Sequence, residues 1–365
     1  MTIRELDTPA MLIDMDRLEA NLDRAARYAS SHGLRLRPHT KTHKSPLVGR
    51  MQLDRGACGL TVAKVGEAEV MADDTVPNLL IAYPVWGDAK WTRLVGVARR
   101  TPVSVALDST EVAEGLKRHA ARAGVGIGIL VETDLGMRRC GVAPGKRLLE
   151  LARAVTRMPP LRLEGLMFYP GHVNLATDDG EKALQRLGSD LAGILDDFRR
   201  DGLPTDTVSG GSTPTLYESH RVPGVTELRP GTYAFNDRTQ VAAGACGFED
   251  CAATILTTVV STPRPDRAVI DGGSKTFTSD SMRPIGQDGF GQVVGMPGIR
   301  FARMSEEHGV LDLRGHEGPP LRIGDRLRVV PNHVCVAVNM HETAHGIRGD
   351  SVERSWAVEG RGKLQ

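Results

Sequence analysis

The chain has 365 residues, of which 40% are hydrophobic and 25% are charged, which is typical of a globular protein. Its 46 lysines and arginines against 45 aspartates and glutamates give no electrostatic reason to expect nucleic acid or an anionic membrane as a partner. We find no run of about 18 apolar residues that could span a bilayer, no secretory signal at the start, and no pairing pattern among five cysteines, so we expect a cytoplasmic location.

The first two thirds of the chain alternate short apolar runs with helical patterns. A strand pattern at 9–14 and a helical pattern at 16–32 come first. The eight apolar runs that follow are residues 34–36, 59–63, 79–83, 103–107, 127–131, 163–168, 207–209 and 225–228. Helical patterns separate most of them, at 45–55, 65–72, 88–98, 109–123, 145–157 and 180–200. This alternation is typical of parallel strands covered on both faces, and eight of them predict a (β/α)₈ TIM barrel. An open doubly wound sheet is the alternative.

The character of the sequence changes near residue 244. Strand patterns follow at 254–261, 268–270, 309–313, 326–331, 333–338, 344–347 and 356–358, divided by turn signals, with no long helical pattern. We therefore predict an α/β protein of two domains. Residues 8–245 form the barrel, and residues 246–365 form an all-β domain on which residues 1–7 can pack.

A basic segment at residues 37–44, Arg-Pro-His-Thr-Lys-Thr-His-Lys, follows the first predicted barrel strand. TIM barrels carry their active sites at the carboxyl ends of the strands. One interpretation is a basic surface loop. The other is a lysine whose amine forms a Schiff base with a carbonyl compound, since a buried ammonium needs a partner or a function.

The loops after the seventh and eighth strands carry glycine beside hydroxyl residues. They are residues 210–213, Gly-Gly-Ser-Thr, and residues 229–233, Arg-Pro-Gly-Thr-Tyr. Barrels commonly bind phosphate in these two loops, where glycine lets backbone N–H groups approach an anion. Either loop alone could be an ordinary turn. Together, opposite a lysine at the end of the first strand, they favour a phosphate-bearing aldehyde cofactor, which is pyridoxal phosphate.

These motifs resemble those of the D-threonine aldolase and D-serine dehydratase family. That family belongs to the alanine-racemase-like (fold-type III) pyridoxal phosphate enzymes. Beyond Lys41, the resemblance extends in order along nearly the whole chain through Asp7-Thr8-Pro9, Lys64-Val65-Gly66-Glu67-Ala68, Arg139-Cys140-Gly141, Thr226-Glu227-Leu228, Gly231-Thr232-Tyr233, Glu307-His308-Gly309-Val310 and Pro331-Asn332-His333-Val334-Cys335.

The resemblance implies a role for each matching residue. Lys41 holds the cofactor and moves the Cα proton, Arg139 contacts the phenolic oxygen of the pyridine ring, and Tyr169 faces that ring. The phosphate and ring cradle comprises Gly211, Ser212, Thr213, Gly231, Thr232 and Tyr233. His172 is a candidate catalytic acid/base or a structural residue. Family members often carry a histidine slightly further along this loop, where this chain has Asn174.

The pair His333 and Cys335 is a candidate metal site. On a predicted strand, residues two apart face the same way, and imidazole and thiolate are good zinc ligands, although such a pair alone is more often part of a core. The resemblance implies a divalent metal here. A cysteine ligand favours Zn²⁺, and Mn²⁺ and Mg²⁺ are the alternatives. Residues 341–345, His-Glu-Thr-Ala-His, match the zinc-protease motif, but the predicted strands around them exclude the helix that this motif needs.

The resemblance implies a metal-dependent lyase that acts on small-molecule D-β-hydroxy amino acids. D-Threonine aldolase, which cleaves its substrate to glycine and an aldehyde, is favoured by the overall resemblance. The alternative is a D-serine or D-3-hydroxyaspartate dehydratase that yields a 2-oxo acid and ammonia, which the cysteine ligand favours. A non-catalytic pyridoxal phosphate carrier is a remote alternative, because such carriers are usually a barrel alone. We also expect a homodimer.

Overall fold

The structure, a computed structural model, describes residues 1–282 and 287–365. They form two compact units. The barrel unit comprises Leu22–Lys41, Ser45–Gly231 and Gly362–Gln365, and the β unit comprises Met1–Asn21, Thr42–Lys44 and Thr232–Arg361. The predicted domain boundary at residues 245 and 246 stays a prediction.

Seventeen strands are formed by the described residues. In chain order they are β1 (Ala10–Asp14), β2 (Arg35–Leu36), β3 (Leu60–Val62), β4 (Leu79–Ile81), β5 (Val103–Leu107), β6 (Ile127–Glu132), β7 (Leu161–Met167), β8 (Thr207–Gly210), β9 (Glu227–Leu228), β10 (Ala253–Arg264), β11 (Arg267–Ile270), β12 (Gly291–Val293), β13 (Arg300–Met304), β14 (Gly309–Asp312), β15 (Arg326–Pro331), β16 (Thr343–Arg348) and β17 (Ser351–Ala357).

The α-helices formed by the described residues are α1 (Met15–Ser31), α2 (Pro46–Leu53), α3 (Val65–Met71), α4 (Asp88–Ala98), α5 (Thr110–Ala123), α6 (Lys146–Thr156), α7 (Gly180–Arg200), α8 (Arg238–Ala242), α9 (Ser274–Phe277) and α10 (Val334–Met340). None of the helices in the described part of the chain is both long and apolar enough to cross a membrane.

The barrel unit contains an eight-stranded parallel sheet in the order β2-β9-β8-β7-β6-β5-β4-β3. A parallel bridge between His39, just after β2, and Thr61 in β3 joins the two ends, so the sheet curls into a TIM-like barrel. All eight predicted apolar runs form these strands, and the prediction of a barrel is confirmed.

Alternating burial along the strands explains why these sequences form a barrel. In β5, Val105 packs in the large core that the strands share with the helices, whereas Ala106 belongs to a small separate core with Leu80, Leu130 and Met167. Successive strand residues face opposite sides of a sheet. The small core is therefore the interior of the barrel, and apolar residues are needed on both faces.

The β unit contains a nine-stranded sheet in the order β11-β14-β13-β12-β15-β10-β1-β16-β17. Strand β10 also pairs with β11, so β10 to β15 close into an antiparallel barrel. Phe277 and Phe301 are fully buried and pack edge to face, with ring centroids 5.1 Å apart. The prediction of an all-β second domain is confirmed, and the structure shows that its barrel is antiparallel. Strands β12 and β13 were not predicted.

One predicted strand is wrong. Residues 333–338 contribute the helix α10 instead, in which Val334, Ala337 and Val338 are buried. Their spacing of three and four residues places them on one helical face. The β-branched valines favoured a strand, but the burial of that face decides the local structure.

Candidate active site

The turn that carries Lys41 is fixed at the carboxyl end of the first barrel strand. The N–H of His39 donates to the carbonyl of Pro230 at 2.9 Å, and the N–H of Thr40 donates to the carbonyl of Thr61 at 2.8 Å. These bonds tie the turn to the segment after β9 and to β3. Lys41 therefore lies where barrel enzymes carry catalytic residues.

Three of the predicted cofactor residues lie together, each after a different barrel strand. The Nζ of Lys41 is 5.8 Å from the ring centroid of Tyr169, and the guanidinium carbon of Arg139 is 4.8 Å from the same centroid. The lysine follows β2, Arg139 follows β6 and Tyr169 follows β7. An amine, an aromatic ring and a guanidinium in this arrangement fit a planar aldehyde with an anionic ring oxygen.

The other candidate lysines are engaged elsewhere. Lys44 is buried and its Nζ donates to the carbonyl of Gly360 at 3.4 Å. Lys64 lies over the ring of Tyr83, with its Nζ 3.4 Å from the centroid. Lys275 forms two exposed ion pairs of 2.8 Å, with Glu306 and Glu307. These contacts favour Lys41 as the cofactor lysine.

The loop after β8 places two buried hydroxyl residues beside a glycine with a positive φ. Gly211 adopts φ +92°, which favours glycine, and an added Cβ would lie 3.3 Å from Leu228. Ser212 and Thr213 are buried, and the Oγ of Ser212 lies 3.0 Å from the Oγ1 of Thr215. Buried hydroxyl groups beside a left-handed glycine are suitable donors for phosphate oxygens.

The second predicted cradle segment spans the junction between the units. Gly231 is the last residue of its stretch in the barrel unit, and Thr232 begins the longest stretch of the β unit. Thr232–Ala234 forms a short 3₁₀ helix in which Tyr233 is buried. The roles of Gly231, Thr232 and Tyr233 in binding the cofactor stay predictions.

A buried ion pair inside the barrel was missed by the sequence analysis. The Nε and Nη2 of Arg37 lie 2.9 and 2.8 Å from the Oε2 of Glu227, whose Oε1 accepts a bond of 2.6 Å from Ser209. Burial raises the pKa of Glu227, but Arg37 and Ser209 lower it more, so the net pKa is below its usual value. Ser209 also accepts a bond of 2.8 Å from the Nε of Arg229. This network holds the base of the loops that carry Lys41 and Gly231.

Glu132, the last residue of β6, was also missed. Its side chain is only 3% exposed, and its Oε2 has no hydrogen-bond partner within residues 1–282 and 287–365. Burial raises its pKa from 4.5 to about 7, against the opposing effect of Arg229. Glu132 lines a small pocket with Arg139 and Tyr169. A signal was present in the sequence, because a carboxylate ends an otherwise apolar strand.

His333 and Cys335 meet, although not on the predicted strand. His333 is the N-cap of α10, with φ −134° and ψ 100°, and Cys335 is the second residue of the helix. A hydrogen bond with Cys335 raises the pKa of His333 to about 9, against the lowering effect of burial. An imidazole and a thiol in contact are a fitting donor set for a soft divalent metal.

Hydroxyl and carboxylate groups surround this pair. The Sγ of Cys335 lies 3.2 Å from the Oγ1 of Thr42 and 3.7 Å from the Oγ1 of Thr232. The Nδ1 of His333 lies 2.9 Å from the Oδ2 of Asp280. Within the described ranges, no three or more His, Cys, Asp or Glu side chains form a group that could hold a metal.

Two further histidine predictions have different outcomes. His341 is the C-cap of α10 and His345 lies in β16, so these two histidines do not share a helix as the zinc-protease motif requires. His172 is exposed. Its ring packs over Gly136, where an added Cβ would lie 2.8 Å from the Nε2. Its catalytic role stays a prediction.

A parallel barrel with a lysine at the end of its first strand, followed by an antiparallel barrel, defines the class of alanine-racemase-like pyridoxal phosphate enzymes. The family model "Alanine racemase, N-terminal domain" matches residues 13–239. A model of a serine dehydratase domain matches residues 252–347. Both matches agree with the order of the two folds along the chain.

Individual relatives narrow this class. D-Threonine aldolase of Arthrobacter sp. is 34% identical over 99% of this chain and 94% of its own length. The crystal structure of D-threonine aldolase from Filomicrobium marinum is 33% identical, with a TM-score of 0.93 over 100% of this chain and 98% of that chain. D-threo-3-hydroxyaspartate dehydratase from Delftia sp. HT23 is 29% identical, with a TM-score of 0.89 over 98% of both chains.

The chain therefore belongs to the D-threonine aldolase and D-serine dehydratase family of alanine-racemase-like enzymes. Aldolases and dehydratases are both lyases, and the prediction of a lyase is confirmed. Structures of D-threo-3-hydroxyaspartate dehydratase include a histidine-to-alanine variant and a cysteine-to-alanine variant in the metal-free form. The two substituted positions in that enzyme are two residues apart, as His333 and Cys335 are here.

Proposed function

We propose that the protein is a pyridoxal phosphate- and divalent metal-dependent lyase of the D-threonine aldolase type, which cleaves D-β-hydroxy amino acids to glycine and an aldehyde. The observation that carries the proposal is the contact of 3.2 Å between Thr42 and Cys335. Thr42 is bonded directly to Lys41. The residue next to the cofactor lysine thus touches the metal-binding thiol, which supports one reaction served by both groups.

Each cofactor residue has a task in this reaction. The amine of Lys41 would bind the aldehyde of the cofactor covalently and would deliver a proton to Cα after the Cα–Cβ bond has broken. Arg139 stabilises the phenolic oxygen of the ring, and the hydroxyls of Ser212 and Thr213 bind the phosphate. When bound, pyridoxal phosphate supplies a sink for the electron pair released at Cα. The ring of Tyr169 keeps the amine of Lys41 and the guanidinium of Arg139 in place.

His333 and Cys335 would hold the metal. A thiolate ligand favours Zn²⁺ over harder ions, with Mn²⁺ and Mg²⁺ as alternatives. Two protein ligands leave positions for water and for the β-hydroxyl of a substrate, which is the arrangement of a catalytic site. When bound, the metal supplies a Lewis acid that makes this hydroxyl more acidic.

A dehydratase is the second candidate, favoured by one observation. The relative whose histidine and cysteine were each replaced by alanine is a dehydratase. This chain also has a cysteine, Cys335, two residues after a histidine. Incubation with D-threonine, D-serine and D-3-hydroxyaspartate distinguishes the candidates. An aldolase releases acetaldehyde and glycine from D-threonine, whereas a dehydratase releases a 2-oxo acid and ammonia. Release of neither glycine with an aldehyde nor a 2-oxo acid with ammonia from any of the three substrates contradicts the proposed function.

The remaining expectations stay predictions. The second domain and its His333–Cys335 pair disfavour a non-catalytic cofactor carrier, because such carriers are usually a barrel alone. A homodimer and a cytoplasmic location are retained as parts of the proposal. None of the five cysteines, all of which lie in the described part of the chain, forms a disulfide.

A further inference from the structure

We propose that Asp280 is the positioning residue of the metal pair, whose carboxylate holds the ring of His333 through Nδ1 and leaves Nε2 to bind the ion. This inference rests on the proposed function, because it requires a metal at His333 and Cys335. It assigns a role to a residue outside the motifs that identify the family.

The geometry sets the tautomer of the histidine. The Oδ2 of Asp280 is 2.9 Å from the Nδ1 of His333, which is an ordinary hydrogen-bond distance. An ionised carboxylate only accepts hydrogen bonds, so Nδ1 is the donor in this contact. In the neutral ring, the lone pair is then on Nε2. Histidines that bind metals usually donate their second ring N–H to a carboxylate in this way.

The backbone around Asp280 is tied to the residue before His333. The side chain of Asn332 is buried, and its Nδ2 donates to the carbonyl of Asp280 at 2.8 Å and to that of Gly289 at 2.9 Å. Asp280 and His333 are thus connected twice, once through side chains and once through Asn332. A chance surface contact would not need the second connection.

The loop before Asp280 is held in a costly conformation. Thr278 adopts φ +77° and ψ 165°, a region that residues with a branched Cβ rarely enter. Its Oγ1 accepts a bond of 2.9 Å from the N–H of Asp280. Strain of this kind persists where the surroundings impose it, which is common at functional sites. Here the strained residue lies two positions before Asp280 and is hydrogen-bonded to its backbone.

The solvent exposure of the His333 and Asp280 side chains distinguishes a positioning role from a purely structural one. The side chains of His333 and Asp280 are 44% and 47% exposed. Ion pairs at such exposure contribute little to folding, because water and salt screen them. Removing the carboxylate should therefore leave folding nearly unchanged and weaken metal binding. Weaker metal binding with unchanged folding distinguishes a positioning residue from one that stabilises the fold.

The test measures zinc affinity by competition with a chelating dye, using metal-stripped full-length protein. We expect Asp280→Ala to bind Zn²⁺ about 10–100-fold more weakly than wild type, the usual effect of losing such a partner. Asp280→Glu should recover part of the affinity. The urea midpoint of Asp280→Ala should match wild type. Glu353→Gln, which removes the Arg348 pair of similar exposure in the same unit, is the control and should bind Zn²⁺ normally.

Two results overturn the inference, and they are distinguishable. Equal zinc affinity in wild type and Asp280→Ala refutes the role of Asp280 and leaves the metal site standing. Failure of wild type to bind Zn²⁺, or binding unaffected by His333→Ala, refutes the proposed metal site and the inference together. In the Co²⁺-loaded protein, we expect Asp280→Ala to shift the visible absorption bands, which a merely structural role would not do.

Discussion

The hydroxyl of Thr42 lies 3.2 Å from the thiol of Cys335, across 293 positions of the chain. Thr42 is fully buried and follows Lys41 directly. The backbone that carries the candidate cofactor lysine therefore continues into a residue that contacts the thiol of the candidate metal pair. We therefore expect substitutions at Thr42 to weaken metal binding more than cofactor binding.

Thr42→Val tests this relationship. The substitution keeps the shape of the side chain and removes the hydrogen bond to the sulfur, which costs about 1–2 kcal/mol, or about 5–30-fold in metal affinity. Cofactor absorbance should be retained. The control is Thr257→Val, a buried threonine of the same unit that donates to the carbonyl of Leu327 and should not change metal affinity. Unchanged metal affinity in Thr42→Val contradicts the prediction.

Glu132 should make the folded protein less stable as the pH rises. Its pKa of about 7 is above the ordinary 4.5, so the folded state binds the proton more tightly than the unfolded state. The stabilisation is complete below pH 4.5 and is lost as the pH rises through about 7. Its full size is about 3 kcal/mol, from about 1.4 kcal/mol per pKa unit.

The measurement is urea unfolding of cofactor-free wild type and Glu132→Gln at pH 5 and pH 8. Glutamine does not ionise, so the variant should lose less stability between the two pH values and be the more stable protein at pH 8. The same pH dependence in both proteins would show that Glu132 does not titrate in this range.

Breaking the buried ion pair Arg37–Glu227 should strongly lower the free energy of unfolding. Glu227→Gln leaves a guanidinium buried without its counter-ion, which costs about 3–5 kcal/mol. The exposed pair Arg50–Asp54 is the matched control, and Asp54→Asn should cost less than about 1 kcal/mol. Denaturant unfolding of both variants checks the difference. Equal effects would contradict the structural role assigned to the pair.

Gly211→Ala should weaken cofactor binding. The residue has φ +92°, where alanine is strained, and the added methyl group would lie 3.3 Å from Leu228. Gly33→Ala is the control, because Gly33 has φ +64° and no heavy atom within 4 Å of an added Cβ. Both variants should lose stability by about 1 kcal/mol. Titration with pyridoxal phosphate should show weaker binding in Gly211→Ala alone; equal binding in both would argue against a phosphate loop here.

Local sequence patterns were sufficient to predict the barrel and the position of Lys41 after its first strand. The barrel strands are continuous apolar runs because both faces are buried, and the lysine follows the first of them. The same patterns gave wrong or missing elements where tertiary contacts determine the local structure. Residues 334–340 form a helix because its one apolar face is buried, although valines favour strands. Strand β13 was missed because Arg300 and Arg303 interrupt its pattern.

Long-range polar partners could not be found from the sequence. Arg37 and Glu227 are 190 positions apart, and Asp280 and His333 are 53 apart. Each is an ordinary charged or polar residue in its own segment, and only the fold brings the partners together. The candidate metal pair was predicted from a strand that does not form, since His333 and Cys335 meet at the start of a helix.

The most direct test of the central claim is the release of acetaldehyde from D-threonine by protein loaded with pyridoxal phosphate and Zn²⁺. The proposed function predicts acetaldehyde and glycine in equal amounts from wild type, and none from Lys41→Ala or His333→Ala. Full release by either variant would contradict the role given to the substituted residue. No release from wild type, accompanied by a 2-oxo acid and ammonia, would contradict the aldolase assignment.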